Sequence, residues 1–140
     1  MAAMSDEARE AFLAETRLGV LSTLRDDGAP ISVPVWFEWD GSRARMFTTA
    51  SSGKVERLAR DARASLLVAA RIDEPEAWVA IDGTIEVREE GAAELAERLA
   101  ERYWDLDDPD KRATVDTWRR AAAVLRLLEL TPAAVRSYLA

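Results

Sequence analysis

The strongest pattern in the chain is a two-residue alternation. Ile31, Val33, Val35, Phe37 and Trp39 occupy one set of positions, and Ser32, Pro34, Trp36 and Glu38 the other. Five large apolar side chains in strict alternation predict a strand whose first face lines a core. Pro34 removes a ladder donor and so marks an edge, a bulge or a place where something else meets the backbone. Similar alternation predicts strands over 18–24, 43–49, 64–71 and 77–88, and a last one over 122–130. In the fifth, Val79, Ile81, Ile85 and Val87 share one face and Trp78 takes the other. Asp82-Gly83 reads as a bulge, because alternation resumes in phase after it. Apolar residues at helical spacing predict helices after Ser5, over 53–61, over 92–103, and from Asp108-Pro109 to near Arg120. Asp40-Gly41 is expected to turn a tight hairpin, and Thr131-Pro132 to start a short C-terminal turn.

The segment that joins the third strand to the second helix carries the candidate chemistry. It runs Phe47-Thr48-Thr49-Ala50-Ser51-Ser52-Gly53-Lys54-Val55. Ser52 suits an N-cap, and Gly53 lets backbone or ligand approach closely. A helix start offers free N–H groups and the positive end of a dipole. Lys54 opposes that dipole, at a cost of roughly 0.3–1 kcal/mol. Its identity is unusual too, since the chain has 17 arginines and only 2 lysines among its 19 basic residues. A bound phosphate would resolve the conflict by accepting bonds from hydroxyls, amides and ammonium together. A capped surface helix with a solvated lysine is the alternative. Arg57 and Arg60 follow at helical spacing and read first as a solvated helix face.

Composition narrows the chemistry. The 140 residues suit one domain spanning 1–140, and 49% hydrophobic with 32% charged content suits a soluble globular chain. With a net charge of −7 and no basic block, nucleic acid is not expected as a partner. No apolar run reaches membrane-spanning length, and Met1 to Arg9 lacks the order of a signal peptide, so a cytoplasmic location is expected. There is no Cys and no His. Thiol nucleophiles, Ser-His pairs and the usual zinc sites are therefore out of reach, and any redox chemistry would rest on a bound cofactor.

The predicted order is helix, three strands, helix, two strands, two helices, strand. Hairpin links and short strands point to a mainly β fold, a six-stranded antiparallel barrel with peripheral helices. A dinucleotide-binding sheet is disfavoured, because no Gly-x-Gly-x-x-Gly follows a strand.

With this order in place, five motifs together resemble the pyridoxamine 5′-phosphate oxidase-like superfamily, the split β-barrels that bind flavins and deazaflavins. They are Gly19-Val20-Leu21-Ser22-Thr23-Leu24, Pro30-Ile31-Ser32-Val33-Pro34-Val35-Trp36-Phe37, Phe47-Thr48-Thr49 with Ser52-Gly53-Lys54, Ala64-Ser65-Leu66-Leu67, and Ile81-Asp82-Gly83-Thr84. The resemblance implies a homodimer with cofactor sites at the subunit interface. It places the cofactor phosphate at Thr48, Thr49, Ser51, Ser52 and Lys54, and the ring along Val33, Pro34, Val35 and Trp36. The partner's fifth strand, near Trp78 and Ala80, would close the pocket. Trp36 and Trp78 could instead pack at a dimer interface, and Trp39 reads as barrel core. Gly53 stands where true pyridoxamine phosphate oxidases usually have Arg. The short form is more similar to the deazaflavin-dependent reductases and their FMN-binding relatives. The region from Asp105 to Arg120 varies within the family and is expected to shape the open side of the pocket.

The implied function is an oxidoreductase that uses FMN or F-420 to pass hydride to a small organic acceptor, with Lys54 as an anchor and no catalytic side chain assigned. Two alternatives are a non-catalytic binder of a flavin or tetrapyrrole-like ligand, and a structural dimer whose site has decayed.

Overall fold

The alternating runs pair into one antiparallel sheet that begins and ends with the same stretch of chain. In the computed structural model, which describes residues 2–140, the elements are α1 (Asp6–Ala14), β1 (Gly19–Leu24), β2 (Pro30–Val35), β3 (Glu38–Trp39), β4 (Ala44–Thr49), α2 (Gly53–Arg60), β5 (Arg63–Ala69), β6 (Ala77–Arg88), α3 (Ala92–Tyr103), α4 (Pro109–Arg120) and β7 (Leu125–Leu139). A single 3-10 turn, Ala122–Val124, leads into β7. The strands lie in the order β2-β1-β5-β6-β7-β4-β3. β2 and β3, the two edges, are consecutive in sequence. The sheet therefore curls into a half-barrel whose edges are joined through Trp36 and Phe37. The fold is a mainly β split barrel with peripheral helices.

Two sequence expectations change here. The run 31–39 is not one strand. β2 pairs with β1 (Val35 opposite Gly19), whereas β3 pairs with β4 (Trp39 opposite Ala44). The chain crosses from one sheet edge to the other, so its hydrogen-bond partners change while its side chains keep alternating. This gives seven strands in place of six. Of the five alternating residues, Phe37 is fully buried, and Val35 and Trp39 pack against the core. Ile31 and Val33 stay half-buried because β2 is an edge. The second change is at the C-terminus. Thr131-Pro132 does not turn; β7 runs on to Leu139 and pairs with β6 along its length. The register shifts at Asp82/Gly83, where Asp82 faces Ala134 and Gly83 faces Pro132. The extra residue, Ala133, lies on β7. The register breaks at Asp82-Gly83, where the sequence suggests a bulge, but the extra residue is on the opposite strand, where it admits Pro132 into β7.

The other starts and turns follow their local chemistry. Ser5 Oγ accepts from Ala8 N at 3.1 Å and caps α1. Asp40 Oδ1 accepts from the amides of Ser42 and Arg43 at 2.8 and 2.7 Å, which fixes the β3–β4 hairpin, with Gly41 at φ +97°. Inside the curl, Leu21, Phe37, Met46, Leu66, Ile81 and Leu128 form the main core. A second apolar cluster lies between α3 and the outward face of β4 and β7. It contains Leu95, Leu99, Leu125 and Leu127, with Trp36, Phe47, Tyr103 and Trp118 packed on it.

Candidate functional site

Where α2 starts, the second cluster opens into a cavity of about 460 Å³. Its lining comes from the end of β2 (Pro34, Val35), the crossover residue Trp36, Phe47 of β4, Lys54 of α2, Leu18, and Trp104 and Trp118 from α3's end and α4. Pro34, Val35, Trp36 and Lys54 thus line one cavity. Val33, one residue back, faces Leu21 of β1.

The aromatic wall is built by mutual packing. Trp36 stacks on Tyr103 with ring centroids 5.2 Å apart and planes 3° apart. It meets Trp104 edge-on at 4.7 Å. Trp118 lies at 5.2 Å from Phe47 and stacks on Trp104 at 5.6 Å. Offset and edge-on arrangements are the favoured ones for aromatic rings, so the wall is rigid. Sequence reading had placed the variable region 105–120 near the pocket, and Trp118 lies there. Leu18, Phe47 and Trp104 were not singled out as lining. Trp104 sits just past the last periodic position of α3, where helical spacing carries no signal.

The polar part of the lining is Lys54, in the first turn of α2; Thr48, Thr49, Ser51 and Ser52, which precede it, do not line the cavity. Ser52 is the N-cap of α2: Ser52 Oγ accepts from Lys54 N at 3.2 Å. Ser52 N donates back to Thr49 O at 3.0 Å, and Ala50 N donates to Val124 O at 2.8 Å, which ties the turn to the 3-10 turn that leads into β7. Thr48 and Thr49 end β4, opposite Arg126 and Leu125. The side-chain hydroxyls of Thr48, Thr49 and Ser51 make no hydrogen bond to another described residue. Lys54 is half-buried and, among the described residues, no carboxylate lies within ion-pair distance of it. Burial, and then the nearby Arg57 charge, push its ammonium below the ordinary lysine value. A half-buried cation in the first turn of a helix, at the positive end of its dipole, is a group that fits a phosphate.

Trp78 and Ala80 lie elsewhere on this chain. They line a separate cavity of about 380 Å³ with Ser22, Ser65, Leu67, Ala69 and Arg136, on the outward face of β1, β5 and β6. Ala80 is opposite Leu67, and Val20 is opposite both Leu67 and Pro34, so an apolar band crosses this face. Within one chain the band reaches the Lys54 cavity only at Pro34, and Trp78 and Ala80 do not line that cavity.

A curled antiparallel sheet with an anion-ready turn at the mouth of an aromatic cavity defines the split-barrel class. The chain belongs to the pyridoxamine 5′-phosphate oxidase family, whose pattern matches residues 5–138. It is similar in structure to an F420 reductase at 25% identity, covering 90% of this chain and 94% of that one with a TM-score of 0.72. It is also similar to a conserved hypothetical protein from Mycobacterium tuberculosis, at 26% identity over 97% of this chain and 85% of that one, TM-score 0.76. An FAD-binding protein from Mesorhizobium loti shares the fold at 17% identity over 97% and 93% of the two chains, TM-score 0.66. No curated protein matches by sequence. No helix among the described residues is long and apolar enough to cross a membrane.

Proposed function

We propose that this protein is a cytoplasmic, homodimeric oxidoreductase that binds FMN or F-420 by its phosphate at the Lys54 turn and reduces a small organic acceptor. Lys54 carries this reading: it is a half-buried cation with no counter-charge among the described residues, at the edge of an aromatic cavity. The similarity to an F420 reductase and an FAD-binding protein supports the cofactor class.

When bound, the flavin or deazaflavin supplies the hydride. The chain's own part is to hold and exclude. Lys54, the Thr48, Thr49 and Ser51 hydroxyls and the first amides of α2 would hold the phosphate. Val33, Pro34, Val35 and Trp36 would flank the ring. Trp104 and Trp118 would keep water out of the cavity. Among the described residues Lys54 is the one charged side chain lining the cavity, and its role is to anchor. The acceptor's proton would therefore come from solvent or from the partner chain.

The test is binding of FMN and F-420 side by side, read by cofactor fluorescence, with wild type and Lys54→Ala. Tight binding of one of them that is lost in the variant supports the reading, and turnover of that cofactor in its reduced form supports the enzyme. Binding with no turnover of any acceptor points to a flavin or tetrapyrrole binder. Failure to bind either cofactor overturns the reading.

A further inference from the structure

The start of α2 carries a second cation, and it reaches that position by an indirect route. Arg57 does not extend into solvent as a simple helix-face arginine would. It is half-buried, and its Nε donates to Thr23 Oγ1 of β1 at 2.8 Å. Thr23 is itself buried at 2% exposure, so this anchor is fixed. The guanidinium is folded back over the first turn, and its Nη1 lies 2.8 Å from the point where a Cβ on Gly53 would stand. Gly53 has no positive φ, so its backbone does not need glycine. The missing side chain provides room for a guanidinium.

The charge around it is uneven. Arg60, on the next turn, is engaged by Asp26 at 2.6 Å and Glu56 at 3.5 Å. Arg57 has no carboxylate at ion-pair distance among the described residues, and neither has Lys54. Lys54 and Arg57 are close enough for one to depress the other's proton affinity, and neither is ion-paired among the described residues; Glu56, between them in sequence, is engaged by Arg60. Arg57 and Gly53 line a cavity of about 470 Å³ of mixed charge, with Arg25 and Arg60 beside Asp26, Asp27 and Glu56, and Lys54 lines the aromatic one, so the first turn of α2 stands between the two.

We propose that Arg57 is a second phosphate ligand of the cofactor site, and that Gly53 and Thr23 are its positioning residues. The proposal rests on the reading of the Lys54 turn as a phosphate site. Gly53 then has a definite role: position 53 carries no cation of its own, and the bare backbone admits one from the following turn.

The experiment compares FMN with riboflavin, which lacks the phosphate, in wild type, Arg57→Ala, Gly53→Ala and the double variant. If F-420 is the cofactor that binds, its phosphate-free chromophore takes the place of riboflavin. Arg57→Ala should weaken FMN by about tenfold or more, the scale of one charge-assisted hydrogen bond, and leave riboflavin unchanged. Gly53→Ala should weaken FMN to a similar degree while the ligand-free melting temperature holds or rises, since Ala favours the helix and the flexible guanidinium can swing aside. The double variant should be no weaker than Arg57→Ala alone. If Arg57→Ala binds FMN as wild type does while Lys54→Ala does not, this inference falls and the proposed function stands. Equal losses for FMN and riboflavin would make Arg57 a structural staple and overturn it. Wild type that binds neither cofactor would remove both.

Discussion

The Tyr103 hydroxyl supplies Phe37 with the hydrogen bond that the sheet does not. Phe37 lies in the crossover between β2 and β3, beyond the last ladder pair of either edge. Its N–H donates to Tyr103 Oη at 3.3 Å, and that hydroxyl donates to Arg17 O at 2.5 Å. One side chain from the end of α3 therefore satisfies a buried amide and a carbonyl in front of β1. The same ring stacks on Trp36 and sets the back of the aromatic wall. Tyr103→Phe keeps the stacking and removes both bonds. We expect a loss of about 1–3 kcal/mol in chemical denaturation, with an unchanged far-UV spectrum.

Arg17 joins three parts of the structure and brings a pH dependence with it. It is 4% exposed. Its guanidinium donates to both carboxylate oxygens of Glu74 at 2.7 and 2.9 Å and to Glu15 at 2.8 Å, and its Nε donates to Phe12 O at 3.1 Å. The bond from Arg17, together with the Arg71 amide, pulls the Glu74 carboxyl from 4.5 down to about 2. A carboxyl held below its unfolded value stabilises the fold above that value, and the contribution disappears as pH falls through the folded one. The melting temperature should therefore drop between about pH 4.5 and pH 2. Glu74→Gln should lower it at pH 7 and flatten the drop over that window. A wild-type slope in Glu74→Gln would assign the acid sensitivity to other carboxylates.

These contacts show where sequence reading reaches and where it stops. Alternation reports which face a residue takes: it put Phe37 on a core-lining face and grouped Ile81 with Val79, Ile85 and Val87 on one face. It does not report which strand lies alongside, so the break at Trp36-Phe37 was invisible: the side chains keep their phase while the hydrogen-bond partner changes from β1 to β4. Thr131-Pro132 misled for a related reason. Proline forbids a regular ladder position, but a bulge opposite Gly83 gives it one. At the site, Lys54 stood out because its charge conflicts with its position in the helix, a conflict that can be read locally. Trp104 and the folded-back Arg57 depend on contacts across 68 and 34 positions, with Trp36 and Thr23, and no local pattern encodes them.

The bulge itself makes a sharp prediction. A Cβ on Gly83 would stand 2.0 Å from the carbonyl oxygen of Thr131 and 3.1 Å from Pro132 Cα. Both are backbone atoms, so neither can swing aside. Gly83→Ala must push β6 and β7 apart at the middle of their long pairing, at a cost on the order of 3 kcal/mol. Gly28→Ala serves as the comparison. Nothing lies within 4 Å of its Cβ position, so it carries only the strain of its φ of +83°. Urea midpoints should rank wild type, then Gly28→Ala, with Gly83→Ala well below both. Similar midpoints for the two variants would mean that the strand pair yields more easily than its backbone contacts imply.

The homodimer is the last link in the proposed function, and the band across β1, β5 and β6 is where it can be tested. Leu67 is 41% exposed and Val20 37%, adjacent across the strand pair, and Trp78 stacks on Tyr138 at 6.3 Å beside them. An apolar band of this kind on an antiparallel sheet is a surface that a second copy can cover. Leu67→Glu puts a charge at its centre without touching the core. Sedimentation should show wild type as a dimer and the variant as a monomer with the same far-UV spectrum. If the partner subunit's Trp78 and Ala80 complete the cofactor pocket, the monomer should also lose most of its FMN or F-420 affinity, although Lys54 and Arg57 are intact. A monomer that binds as tightly as the dimer would place the whole cofactor site within one chain, and the 380 Å³ cavity beside Trp78 would then need a different occupant.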